Sequence, residues 1–288
     1  RREHMLTQQI IQGLAIGSVY GLIALGYVLI WNTWGVLNFA QGETVTIGAF
    51  FILIFYVWLD LPFIVAFILA VVSCMVAAYI IERLSYRPII NKQSTIRVIA
   101  TIGVGIFVRN LYRFIFGADP FPFPTIFGDE PFLLGGVKIV PQNLWIMGIG
   151  FGLVLLLNFF LTRTYIGKAM RATSQDREAA ALMGINVKQT MSLTFAFACG
   201  IGGIAGVLIA PLYFVMADMG VTMGPKGFSA ALLGGIESMS GAMVGGLILG
   251  VIEALAAGYI SSAYQSAIAF VILIIVLIFK PTGIMGKK

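Results

Sequence analysis

Charge is scarce in this chain. It carries 18 basic and 12 acidic residues among 288, or 10%, against roughly 25% in a soluble domain, and that deficit excludes an ordinary soluble fold. Histidine is nearly missing: His4 is the sole example, which excludes a histidine-based metal cluster, and it lies in RREHM, which reads as a tag remnant before a start at Met5. There are two cysteines, Cys74 and Cys199, both inside apolar runs, where a thiol acts as a small hydrophobe; a disulfide framework or thiolate metal site is not expected. The sequence has no GxxxxGK[ST] phosphate loop, so it is not expected to hydrolyse ATP. No nucleophile stands with a nearby base, so the chain does not read as an enzyme, and no bound cofactor is expected. The basic residues form no stripe with interleaved aromatics, so nucleic acid is not an expected partner.

What is present is hydrophobic sequence, 59% of the residues, in runs long enough to span a bilayer at about 20 residues each. The expected fold is all-α: one membrane-embedded helical bundle over residues 1–288, with about eight transmembrane segments, broken or re-entrant helices, and an internal inverted repeat. Lipid is therefore one partner. The long hydrophilic run is Arg163 to Gln189, with Arg163, Lys168, Arg171, Arg177 and Lys188 against Asp176 and Glu178, and the positive-inside rule puts residues 163–190 on the cytoplasmic side. Within it, Ser174 to Met183 reads as a short helix with Ser174 as N-cap, alanines 179–181 as helix formers and Gly184 as the stop. Two readings stand: a solvated linker, or a docking helix for another protein.

In chain order, Ile10 to Ile30 is a first span whose Gly13, Gly17, Gly21 and Gly26 offer a small-residue face to a neighbouring helix. Trp31 to Phe50 interrupts the apolar pattern with Asn32, Asn38, Gln41 and Glu43 beside Gly35 and Gly42. These groups are costly in lipid; the segment is either a surface loop or a broken helix lining a path. A second span ends near Leu59, a third covers Phe63 to Ile81, and Glu82 to Arg97 is basic and cytoplasmic. The fourth span, Val98 to Phe116, carries Arg109 and Arg113 toward its outer end, where snorkelling is the ordinary reading and anion attraction the other. The proline-rich, acidic stretch at residues 117–142 reads as an external loop with a hairpin at Leu134 to Val137. Leu144 to Leu161 and Met191 to Val215 are the fifth and sixth spans, Met216 to Lys226 an outer segment, and Gly246 to Tyr259 and Ala263 to Phe279 the last runs, with Glu253 an intramembrane acid facing bundle or cavity. Counting every run as a crossing places the N-terminus outside, unless a broken segment is re-entrant. Gly235 to Gly241, around Glu237, Ser238 and Ser240, pairs weakly with Gly35 to Gly42 as the second break of a repeat. Asn38, Gln41, Glu43, Ser238 and Ser240 are accordingly the candidates for the polar lining of a substrate path.

Six segments together, GLAIGSVYGLIALGYVLI, NFAQGE at Asn38 to Glu43, TIGVGIF at Thr101 to Phe107, REAAALMGIN at Arg177 to Asn186, ALLGGIESMSGAMVGGLILG and KPTGIMG at Lys280 to Gly286, resemble the LivH-type permease subunits of bacterial branched-chain amino acid ABC importers, in that family's order and over nearly the whole chain. The resemblance implies a multi-pass inner-membrane permease that moves a small amino-acid-like solute, with a second homologous permease subunit, two ATP-binding subunits that use the ATP, and a periplasmic solute-binding protein. It also makes Asp176, Arg177, Glu178, Ala179, Ala180 and Gly184 resemble the EAA coupling loop that seats in the ATPase. The family often has histidine at the position of Gln41 and a small residue at that of Glu237, and its wider circle covers permeases for urea, short amides and aromatic acids. The competing reading from another class is an ion-coupled transporter or channel using Glu43 and Glu253.

Overall fold

A computed structural model describes residues 2–125, 128, 132–134 and 137–286. The helices are α1 (Arg2–Trp34), α2 (Glu43–Ile52), α3 (Phe63–Ile81), α4 (Ser94–Phe116), α5 (Pro141–Arg163), α6 (Tyr165–Gln175), α7 (Arg177–Leu182), α8 (Val187–Ile209), α9 (Met219–Gly234), α10 (Met239–Tyr259) and α11 (Gln265–Phe279). Among the described residues, eight helical segments are long and apolar enough to cross a membrane. The expected external hairpin exists as a short antiparallel pair, β1 (Phe132–Leu134) with β2 (Val137–Ile139), Leu134 opposite Val137; Gly135 and Gly136 lie outside the described residues.

α1 is the hub. Its glycine face packs antiparallel on α10: a Cβ built on Gly13 would stand 2.7 Å from Val251 Cα, one on Gly17 2.7 Å from the Gly246 carbonyl, and one on Gly21 3.3 Å from Met243 Cα. Backbones this close gain dispersion contacts that lipid tails cannot match, which is what drives helix association where there is no water to expel. α8 repeats the device on the other side, with Gly203 against Gly48 of α2 and Gly200 against Met75 of α3. The periphery is apolar and open. Phe114 of α4, Leu155 of α5 and Phe279 of α11 are 89%, 71% and 84% exposed, as befits side chains whose solvent is lipid.

Two breaks interrupt the bundle. After α1 the chain turns at Gly35, whose φ is +62°, forms a 3-10 turn over Phe39–Gly42 and starts α2. After α8 it runs through 210–218, bridges Val215 to Phe121 and starts α9. With 16 residues, α9 is about 24 Å long, short of the ~30 Å hydrocarbon core, and so enters without crossing. The starts of α2 and α9 meet: the Gly220 amide donates to Thr46 Oγ1 at 2.9 Å, and a Cβ on Gly42 would lie 2.7 Å from Gly224 Cα. α1 packs on α9 and α8 packs on α2. The pairing expected from the sequence is corrected here. The Gly35 to Gly42 break meets the start of α9 at Gly220 and Gly224, while Gly235 to Ser238 is the turn between α9 and α10. The outer segment expected at Met216 to Lys226 is likewise mostly α9.

Candidate functional site

The first break buries its polar residues at mid-depth. Gln41 Nε2 donates to the carbonyl of Ala198, halfway along α8, at 3.1 Å. Asn38 caps the 3-10 turn, its Oδ1 accepting from the Ala40 amide at 3.1 Å and from the Tyr86 hydroxyl at 3.3 Å, while its Nδ2 is buried without a partner. Glu43 opens α2, and its Oε2 accepts from Thr46 at 3.5 Å. A carboxylate at the first position of a helix is favoured by the unsatisfied amides there, and Arg109 lies within electrostatic reach. Asn38, Gln41 and Glu43 are all buried in this break, each with its own partner.

Ser238 and Ser240 are elsewhere. Ser238 caps α10, accepting from the Gly241 amide at 3.0 Å, and the carbonyl of neighbouring Glu237 accepts from Asn32 in the last turns of α1 at 3.3 Å. These serines sit at the end of the bundle that carries α7, beside a groove of about 630 Å3 lined by Trp31, Asn32, Gly35, Ser174, Glu237 and Met285. The tail crosses the same end: the amides of Ile284 and Met285 donate to the Leu233 and Gly234 carbonyls at 2.8 and 2.9 Å, satisfying acceptors that the end of α9 leaves open.

The hydrophilic stretch is two helices rather than one. Ser174 lies inside α6, and the N-cap of α7 is Asp176, whose Oδ1 accepts from the amides of Glu178 and Ala179 at 2.9 and 3.0 Å. Aspartate caps at least as well as serine and adds a negative charge at the positive helix end. α7 ends in a Schellman motif: Gly184 has φ +82°, its amide donates to Ala181, and that of Ile185 donates to Ala180, each at 3.0 Å. Ala180 is buried, whereas Glu178, Ala179 and Ala181 are exposed and Leu182 and Met183 are 89% and 82% exposed, an apolar knob on a polar loop. Arg177 points inward. Its Nη2 donates to the Thr33 carbonyl at 2.7 Å, and Arg97 donates to Trp34 next to it at 3.1 Å. Burial, and then the like charge of Arg97, lower the Arg177 pKa from its ordinary value, and the guanidinium still stays cationic at neutral pH.

Two ion-paired cations gave little sequence signal of their partners. Arg113, expected to snorkel, is ion-paired with Asp218 at the start of α9. Lys226, expected in an outer loop, reaches Glu253 Oε2 at 3.0 Å, and the Tyr20 hydroxyl donates to the same oxygen at 2.7 Å. The lysine immediately after Pro225, at the edge of an apolar run, was the available clue.

Comparison with known proteins gives consistent matches. A family model described as "Branched-chain amino acid transport system / permease component" matches residues 9–277. The chain is 36% identical to the high-affinity branched-chain amino acid transport system permease protein LivH of Salmonella typhimurium, covering 97% of this chain and 95% of that one. It is 35% identical, with the same coverage, to BraD of Pseudomonas aeruginosa, which bears the same description. Among solved structures, PsaBC from Streptococcus pneumoniae in complex with Fab matches with TM-score 0.52 and 16% identity, covering 97% of this chain and 93% of that one; at this identity the likeness is one of fold.

Proposed function

The chain belongs to the permease-component family of branched-chain amino acid transport systems, a family of multi-pass inner-membrane proteins, and from that membership we propose that it forms the membrane path of an ATP-driven importer for branched-chain amino acids. The observation that carries the coupling part of this reading is α7, a capped helix with an exposed apolar knob at Leu182 and Met183 and an inward bond from Arg177 to α1.

In this reading two ATP-binding subunits dock beneath the complex, and one of them grips the outer face of this chain's α7 through Glu178, Ala179 and the knob. A second, homologous permease subunit completes the path, and a periplasmic binding protein delivers the solute. ATP is bound and used by the partners. Asp176 and Gly184 keep α7 rigid at its two ends, and Arg177 passes its displacement to the last turn of α1. From there the displacement reaches Gly35, which is free to absorb a backbone rotation, and then the Asn38 to Glu43 break, where the starts of α2 and α9 part to open the path. Ser238 and Ser240, at the coupling end, line the exit. The ion-coupled alternative, which would use Glu43 and Glu253, is disfavoured because the family model and the relatives are permease components of transport systems.

The test is purification of the complex from its native membrane, with identification of all subunits, beside Glu178→Arg. An ATPase pair and a second permease should accompany the wild type, and the ATPases should be lost from the still-folded variant. A chain that purifies alone and transports in liposomes without ATP would overturn the reading. Competition of labelled leucine uptake by urea, short amides and aromatic acids decides the substrate class.

A further inference from the structure

At the end of the bundle opposite α7, between α1, the segment at 210–218 and the α10–α11 turn, lies a pocket of about 270 Å3 whose polar lining is Gln9, Gln12, Tyr20, Tyr213, Glu253 and Gln265, beside a floor of small and aliphatic residues including Ile16 and Ala254. Gln12 and Tyr213 also line a second hollow of about 210 Å3, which adds Gln8 and Asn143. Neither hollow is used by the coupling mechanism, and neither touches the midplane junction.

The chemistry of the lining is one-sided. Its charged member is the carboxylate of Glu253, and its other polar members are neutral amides and phenols. Both bonds to Glu253, from Lys226 Nζ at 3.0 Å and from the Tyr20 hydroxyl at 2.7 Å, fall on Oε2, and Glu253 lines the pocket with Oε1 not engaged by either. Lys226 is spent behind the wall: its Nζ also donates to the Tyr20 hydroxyl at 3.1 Å and lies 5.4 Å from the centre of that ring. The lysine shows what this corner selects, an ammonium held by a carboxylate, a phenol and an aromatic face. The Lys226–Glu253 pair offers an anion no net positive charge, and an apolar group would strand the lone pairs of Glu253 Oε1 and of the glutamines.

We propose that this outer pocket binds a primary ammonium group, whose three N–H donors are met by Glu253 Oε1, the glutamine carbonyls and the Tyr213 hydroxyl. A quaternary ammonium has no N–H to offer and is refused. The pocket reaches the outer ends of the spans at Gln9 and Gln265, so the ammonium has two available sources: the ethanolamine headgroup of a lipid, or a free small amine from outside. The site is independent of which solute the permease carries.

The experiment uses the membrane complex that contains this chain, reconstituted in phosphatidylcholine nanodiscs with and without phosphatidylethanolamine. Native mass spectrometry reads retained lipid, and thermal unfolding reads the response to added ethanolamine and L-leucine in phosphatidylcholine alone. Gln12→Leu and Tyr213→Phe alter the rim and leave the Lys226–Glu253 pair in place, so they serve where Glu253→Gln fails to fold. A preference for phosphatidylethanolamine of at least tenfold, lost in both rim variants, supports the site with a lipid source. A rise in the unfolding midpoint with either free amine, lost in the same variants, supports it with a soluble source. Equal retention of both lipids together with no response to either amine overturns the proposal, as does any preference that survives both rim variants.

Discussion

Arg177 and Thr33 are joined by a 2.7 Å hydrogen bond from guanidinium to carbonyl, so the first residue of the exposed helix α7 is tied to the last turn of α1, the most central helix of the bundle. Arg97 bonds the next carbonyl, that of Trp34, and two cations at the negative end of a 33-residue helix are electrostatically favourable. Arg177→Gln removes a charge-assisted bond of about 1.5–3 kcal/mol. The expected outcome is a complex that still assembles and hydrolyses ATP but moves severalfold less solute per ATP, with Arg177→Lys intermediate. The ratio of uptake to hydrolysis in proteoliposomes measures this, and an unchanged ratio would remove Arg177 from the coupling route.

Gly184 meets nothing within 4 Å of an added Cβ, so its φ of +82° is its whole reason for being glycine. Gly184→Val should cost about 1–2 kcal/mol locally and fray α7, weakening co-purification of the ATPase while the unfolding midpoint of the membrane helices stays put. Asparagine, which tolerates the left-handed region, should be nearly silent. Equal retention of the ATPase by both variants would show that the helix stop does not matter.

Gly48 and Gly105 should part company under the same substitution. A Cβ on Gly48 would stand 2.5 Å from Gly203 Cα, backbone against backbone, whereas one on Gly105 would meet Ala40 Cα at an ordinary 3.5 Å. Gly48→Ala should lower stability by ~1–3 kcal/mol or more through overpacking, and Gly105→Ala should be neutral or gain up to ~1 kcal/mol in helix propensity. Unfolding midpoints in detergent compare the two directly.

Lys226 and Glu253 form a largely buried pair across α9 and α10. Removing one partner strands the other charge, at a cost of about 3–5 kcal/mol, while replacing both by apolar groups is often close to neutral. Lys226→Met and Glu253→Leu should therefore each destabilise strongly, and the double variant should recover most of the loss. A double variant as unstable as the sum of the singles would mean that the two charges act separately.

Much of this architecture was legible along the chain. The spans follow from apolar run length, and the break after α1 from Asn38, Gln41 and Glu43 beside Gly35 and Gly42, because amides and a carboxylate in lipid must be answered by nearby protein. The end of α7 was legible in Gly184. Its start was not: Ser174 and Asp176 are both good caps two residues apart, and the choice fell to Asp176 because α6 runs on through Gln175 and takes Ser174 into its last turn. α9 was hidden for a similar reason. Pro225 and Lys226 read as loop residues, but Pro225 is accommodated inside the helix, its carbonyl accepting from Ser229 Oγ at 2.8 Å, and Lys226 is neutralised by a residue 27 positions away.

The amino-acid sequence by itself determined the solvent, the number of long helices and the local stops, since these depend on composition and on residues within a turn of one another. Tertiary structure decided which break answers which. Gly42 meets Gly220 and Gly224 rather than the similar-looking Gly235 to Gly241, because that contact is set by how α1 and α8 stack and not by any likeness of segments. It also decided which glycines are indispensable. Gly48 lies under the backbone of Gly203 while Gly103 faces open space, and nothing in a one-dimensional pattern separates a glycine that a neighbouring helix has pressed against from one that lipid has left alone.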